Sequence, residues 1–277
     1  MSLRARVRRE LARTNYAGRT VSLAEGAAVV AGATAALALA GRPRMAGMVG
    51  GIGVLGLVDD LVEPHRRRAD GAAPAKGLRG HLRALTRGEV TTGAVKVLGI
   101  PIIALAGVAP AGRPGPMTLV DGALVAGGAN LVNLLDLRPG RALKVVLPLA
   151  AVLAVRGERA APGPAPATGG DGAAEGTARP RGPALTALLA GGLALPADLR
   201  EHGMLGDAGA NALGALVAAA AVRTLPAPAR VAAVLGVAGL TLTSERVSFS
   251  RVIDATPALR ALDGIGRRAA PEPEAGA

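Results

Sequence analysis

The chain has no cysteine, no tryptophan and only two aromatic residues, Tyr16 and Phe249, in 277. Without thiols there is no disulfide scaffold, no thiolate metal site and no Cys nucleophile. Two aromatics cannot build the platform on which RNA or single-stranded bases stack. The three histidines, His65, His81 and His202, occupy polar segments without ligand spacing. Acidic residues are also in the minority: 20 Asp and Glu against 32 Lys and Arg leave a formal charge of +12. A surplus of that size points to nucleic acid or to a membrane, and its distribution decides between them.

What the chain has instead is apolar bulk. Half of it is hydrophobic, and 40 residues are Gly. Arg-rich residues 1–20 give way to Val21–Ala40, whose one charge is Glu25, and further apolar runs follow at Met45–Val62, Val90–Ala109, Thr118–Leu135, Ala142–Val155, Pro183–Ala197, Asp207–Val222 and Ala229–Leu242. None alternates with period two, so each reads as a helix apolar on all sides. The first run is too long and too well followed by others for a signal peptide. Small residues on every run suit close helix contact in lipid. A soluble protein with eight such runs would lack the amphipathic surface to cover them. The expected fold is an all-α, polytopic membrane bundle of about eight transmembrane helices. The fifth and sixth runs are short for a bilayer, and each contains a Pro.

With the N-terminus inside, the inner segments carry 22 of the 32 Lys and Arg. That excess predicts both termini in the cytoplasm of a multi-pass cell-membrane protein. The charge is then a topology signal, and no nucleic-acid partner is expected. The domain layout is a basic segment at 1–20, a transmembrane domain at 21–243 and a cytoplasmic segment at 244–277 with a disordered tail. Residues 156–182, rich in Pro, Gly and Ala, read as a flexible outer connection.

Polar residues interrupt the apolar pattern at Asp59-Asp60, at Lys96, at Asn130, Asn133 and Asp136, and at Asp207. In that topology every one falls at the cytoplasmic face, and ionisable groups in spans mark a site or a buried pair. Four carboxylates and a Lys at one interface suit a hard cation such as Mg²⁺, bound through few carboxylates plus substrate phosphate. Asn130, Asn133 and Asp136 lie along one helical stripe that offers amides to a sugar or nucleotide. Plainer roles stand beside these. Asp59-Asp60 reads equally as a solvated helix end, Asp207 as an N-cap, the two Asn as interhelical glue and Lys96 as a snorkelling side chain. Lys76 and Arg66–Arg68 read in the first place as positive-inside charge facing anionic headgroups.

In order, these residues resemble the polyprenyl-phosphate N-acetylhexosamine-1-phosphate transferases, over roughly residues 13 to 223. Gly56-Leu57-Val58-Asp59-Asp60 is similar to that family's Gly-x-x-Asp-Asp, Lys76-Gly77-Leu78 to its Lys-Gly-Leu, and Lys96-Val97-Leu98-Gly99 to its Lys-x-x-Gly. Asn130 to Asp136 matches Asn-x-x-Asn-x-x-Asp, and Gly206-Asp207-Ala208-Gly209 matches Gly-Asp-x-Gly. The resemblance implies a Mg²⁺-dependent reaction of polyprenyl phosphate with a UDP-amino sugar on the cytoplasmic face, in cell-envelope glycan synthesis. It implies Asp207 and Asp60 at the metal, Asp59, Asp60, Lys96, Asp136 and Asp207 in catalysis, and Lys76, Asn130 and Asn133 at substrate. A homodimer is compatible with it.

The departures are specific. Pro139 stands where the family has a second Asp, Ala210 replaces a Ser, and the His-rich final loop is missing. In its place Ser244–Arg268 is a basic, mildly amphipathic stretch suited to a membrane surface. It supplies Phe249, the one aromatic expected near the cleft. A non-catalytic homologue that binds polyprenyl phosphate is the competing reading. A transporter is disfavoured, because its polar site belongs near the midplane.

Overall fold

The computed structural model describes residues 2–70, 92–109, 114–159 and 181–268. Lys76, most of the expected outer connection and the tail from 269 lie outside these residues. The described elements run α1 (Leu3–Glu10), β1 (Ala12–Thr14), β2 (Thr20–Ser22), α2 (Ala24–Leu39), α3 (Pro43–Asp70), α4 (Thr92–Val108), α5 (Pro116–Leu135), α6 (Arg141–Arg159), α7 (Gly182–Leu199), α8 (Gly206–Thr224), α9 (Ala227–Ser244), α10 (Phe249–Ala255) and α11 (Pro257–Gly264).

Within the described residues the larger part of each of the eight apolar runs is helix. Among the described residues four helical stretches, Pro43–Val62 of α3, then α5, α7 and α9, are long and apolar enough to cross a membrane. α2 and Gly93–Val108 of α4 are apolar but shorter. α6 carries charge at both ends, at Arg141, Lys144, Arg156 and Arg159.

α8 is the axle of the bundle. It packs against α2, α3, α5, α6 and α7, and residues 208–221 are buried without interruption. Lipid gives no hydrophobic drive for helices to associate, so contact depends on backbones coming close. The Ala- and Gly-rich sequence of α8 allows that approach on every side. Leu213 and Leu216 are fully buried against a core that includes Val49, Ile52, Leu143 and Val146.

The N-terminal segment adds the one non-helical element among the described residues. β1 and β2 form an antiparallel hairpin with Arg13 opposite Val21, and Ser22 pairs onward with Gly203. Local turn chemistry explains it. Asn15 Oδ1 accepts from the amides of Ala17 and Arg19, and Gly18 takes φ +76°, a turn that Asn and Gly favour. The first apolar helix consequently begins at Ala24, not Val21.

The C-terminal helices dock at the same end of the bundle as the hairpin. Arg141 Nε and Nη2 donate to the two oxygens of Asp263 at 2.7 and 3.0 Å, and Arg267 adds a third bond at 2.7 Å. Arg267 also reaches the Tyr16 hydroxyl. Burial pushes the Asp263 carboxyl up, but Arg141, Arg267 and Lys144 outweigh it and hold it below the ordinary carboxylate range. A group depressed in the fold stabilises fully above the unfolded value, about 4, and loses that contribution as pH falls through its folded value. As pH falls below about 4 the clamp should therefore progressively weaken. Asp263→Asn should mimic this at neutral pH, speeding trypsin cleavage at Arg260 and Arg267 on the order of tenfold; unchanged cleavage would refute the clamp.

Candidate functional site

Four of the residues singled out from sequence meet at one end of the bundle. α3 brings Asp59 and Asp60 at the close of its apolar stretch, α4 brings Lys96 in its second turn, and α8 brings Asp207 in its first. Lys96 Nζ donates to Asp59 Oδ2 at 2.8 Å and also to Asp207 Oδ2. The three side chains are between 15% and 26% exposed, so the ammonium is a bridge within a largely enclosed site.

Asp60, one residue on, does different work. Its two oxygens accept from the Asp207 and Ala208 amides at 3.2 and 3.1 Å. Leu205 at the N-cap of α8 offers no side-chain acceptor, so a carboxylate from α3 fills that role and meets the positive end of the helix dipole. The approach requires glycine. Gly206 sits at φ +57°, and a Cβ there would run into Leu23 and the Asp60 carboxylate.

The hairpin frames this site. Arg13 donates to the Asp60 carbonyl, and to the carbonyls of Glu10 and Ala12 at 2.7 Å. Arg19 and Asn15 both reach the buried Glu201 carboxylate at 2.5 Å. Glu201 itself has φ 60°, a left-handed conformation that costs a non-glycine residue energy and needs such anchoring. The Ser22 amide donates to the His202 carbonyl and the Met204 amide to the Ser22 carbonyl, pinning the turn that leads into Asp207.

Asp136 caps the end of α5 and borders a second acidic group. Its Oδ2 is enclosed with no hydrogen-bond partner, as are both carboxylate oxygens of Glu25. Burial, then the charges of Asp198, Asp207 and Glu25, raise the Asp136 carboxyl well above the ordinary carboxylate range. Asp198 caps the Gly140 amide at 3.0 Å. Beside Asp136 opens a cavity of about 270 Å³ whose lining includes Asn15, Tyr16, Arg138, Pro139 and Asp198. Tyr16 lies against Arg138 and Arg267, with guanidinium carbons 4.6 and 5.2 Å from the ring centre. The aromatic at this cavity is therefore Tyr16, delivered by the hairpin.

The remaining expectations fall differently. Asn130 Nδ2 donates to Thr241 Oγ1 at 3.4 Å, linking α5 to α9. Asn133 is half-buried one turn before Asp136. Sequence reasoning passed over Asn211, fully buried and bonded to the Asp207 carbonyl at 2.6 Å. It also gave no role to Glu25, Asp198, Glu201 or Arg13. A polar side chain one turn after Asp207, inside an apolar helix, was the available signal for Asn211.

Among the described residues no group of three or more His, Asp or Glu is arranged to hold a metal ion. What the site offers is a pair, Asp59 and Asp207, already holding one cation between them. Mg²⁺ is commonly held through one or two carboxylates, with waters and substrate phosphates completing its shell, so this donor set fits it. Asp60 is committed to the α8 amides. Comparison with protein-family models, curated proteins and solved structures finds no match to this chain.

Proposed function

We propose that the chain is a membrane-embedded sugar-1-phosphate transferase, with about eight spans, both termini cytoplasmic and the carboxylate site at the cytoplasmic face. The observation that carries the reading is the meeting of Asp59, Lys96 and Asp207 from three separate helices, enclosed and surplus in negative charge. The hairpin and the C-terminal helices pack at that same end, in keeping with both termini on one side.

In the proposed reaction an oxygen of polyprenyl phosphate attacks the β-phosphorus of a UDP-amino sugar. The bond from that phosphorus to the α-phosphate oxygen breaks, and UMP leaves. Mg²⁺, held by Asp59 and Asp207, would supply positive charge to the diphosphate. Lys96 neutralises phosphate charge, and Asp60 fixes the start of α8 so that Asp207 keeps its place. Asp136, whose carboxyl is raised by burial and neighbouring acidic groups, faces the cavity beside the site and is placed to meet nucleotide or sugar. Positioning and charge neutralisation carry most of the catalysis in such transfers.

The test incubates purified protein with Mg²⁺, polyprenyl phosphate and a panel of UDP-sugars and measures UMP. Release that Asp207→Ala lowers by at least about 100-fold is expected, as for loss of a group stabilising transferred charge. No release above that control, with any donor, would overturn the reading. Pro139, in the place of the family's second carboxylate, favours the alternative of a polyprenyl-phosphate-binding homologue without turnover. Lipid phosphate bound without UMP release would select it.

A further inference from the structure

Away from the carboxylates, α6 carries Arg141, Lys144, Val145 and Pro148 at positions i, i+3, i+4 and i+7, a single stripe along its length. α11 lies beside the start of that stripe, and α7 adds Leu195. Between them is a groove of about 470 Å³, walled by Val145, Leu147, Pro148, Leu195, Leu262 and Ile265. α11 is an unusual wall. Its one buried residue is Asp263, while Leu259, Leu262 and the following Ile265 are 40%, 59% and 60% exposed. A helix anchored by a carboxylate, with its apolar side chains outward, is half of an interface.

The groove has a charged end. Arg141, Lys144 and Arg267 gather there around Asp263, and Lys144 spends one N–H on the Asp263 carbonyl at 2.5 Å. Even with Asp198 counted, which caps Gly140 nearby, three cations meet two carboxylates. From Arg141 to Pro148 the stripe spans about 10 Å at 1.5 Å per residue, too short to seat a spanning helix of a partner. An occupant must bring an apolar chain, a short reach and one net negative charge. A zwitterionic lipid lacks the charge, and free phosphate lacks the chain.

We propose that this groove binds one anionic phospholipid, with its phosphate on Lys144 and an acyl chain along Val145, Pro148, Leu262 and Ile265. The bound lipid covers the exposed stripe of α11 and holds the C-terminal helices where Arg267 meets Tyr16. The assignment does not depend on the transferase reading.

Native mass spectrometry of the full chain in neutral detergent tests it, with phosphatidylglycerol and phosphatidylcholine of identical chains as probes. Phosphatidylglycerol should be retained about fivefold more tightly, the effect of one basic residue on an anionic lipid. Lys144→Gln should abolish the preference. Leu262→Asn should weaken both lipids alike, and Arg260→Gln, on the exposed side of α11, should change neither. If Lys144→Gln loses its helical signal, Lys144→Arg takes its place and must retain the preference. The proposal is overturned by equal retention of the two lipids, by a preference that survives Lys144→Gln, or by one that Arg260→Gln removes equally. Displacement of phosphatidylglycerol by equimolar inorganic phosphate would overturn the chain contact. Displacement by equimolar polyprenyl phosphate would reassign the groove to that lipid.

Discussion

Lys96→Ala should cost the fold about 3–5 kcal/mol, the usual consequence of removing one partner from a buried charge pair. The side chain is 17% exposed and touches both Asp59 and Asp207. Its removal leaves two carboxylates facing each other across the space the ammonium filled. Their repulsion, no longer relieved by the ammonium, makes the variant depend more strongly on a divalent cation held by the pair. Thermal unfolding in detergent, followed by helical circular dichroism, should therefore show a larger Mg²⁺-dependent rise in Tm for Lys96→Ala than for the native protein. Lys96→Met, which restores the volume without the charge, should behave in the same way, separating charge from packing. A Tm for either variant that matches the native protein in the absence of Mg²⁺ would refute the bridge, and a Mg²⁺-dependent rise no larger than the native protein's would refute the donor pair assigned to the metal. UMP release should fall in both variants even where Mg²⁺ restores stability, because the neutralising ammonium is gone.

Much of this site was legible because charge inside an apolar run is costly and so stands out. Asp59, Asp60, Lys96 and Asp207 each break the apolar pattern at the end of a run, and the structure joins them. The division of labour between Asp59 and Asp60 was not legible. Neighbours on a helix point about 100° apart, and which of the two meets α8 depends on how the helices cross. Asn130 illustrates the reverse case. Its stripe with Asn133 and Asp136 is real, yet a stripe does not state what it faces, and at Asn130 it faces Thr241 of α9. The hairpin escaped notice because its strands are three residues each and sit in an Arg-rich segment, where composition outweighs the Asn15–Gly18 turn signal. With it went Tyr16 and Arg13, both delivered to the site by that turn. The eight helices followed from eight apolar runs. Run length, however, does not report that α8 is enclosed on all sides, nor that α6 extends beyond its apolar stretch to Arg159.

Gly56→Ala should be among the most damaging single-methyl changes in the chain. A Cβ at Gly56 would collide with the backbone of Asp207 and Ala208, where α3 crosses the start of α8. Backbone cannot swing aside as a side chain does, so α8 must move as a body. Overpacking alone costs about 1–3 kcal/mol. The displacement also draws the Asp207 and Ala208 amides away from Asp60, at about 1 kcal/mol for a lost cap, and separates Asp207 from Lys96. Gly47→Ala on the same helix meets nothing within 4 Å and should leave Tm unchanged or raise it, by up to about 1 kcal/mol of helix propensity. Opposite signs from one substitution at two positions of α3 isolate the crossing as the cause. Equal Tm shifts at the two sites would show that α8 does not rest on Gly56. If instead Gly56→Ala lowers Tm and UMP release together while Gly47→Ala alters neither, the seating of α8 on α3 is what holds Asp207 in the carboxylate site.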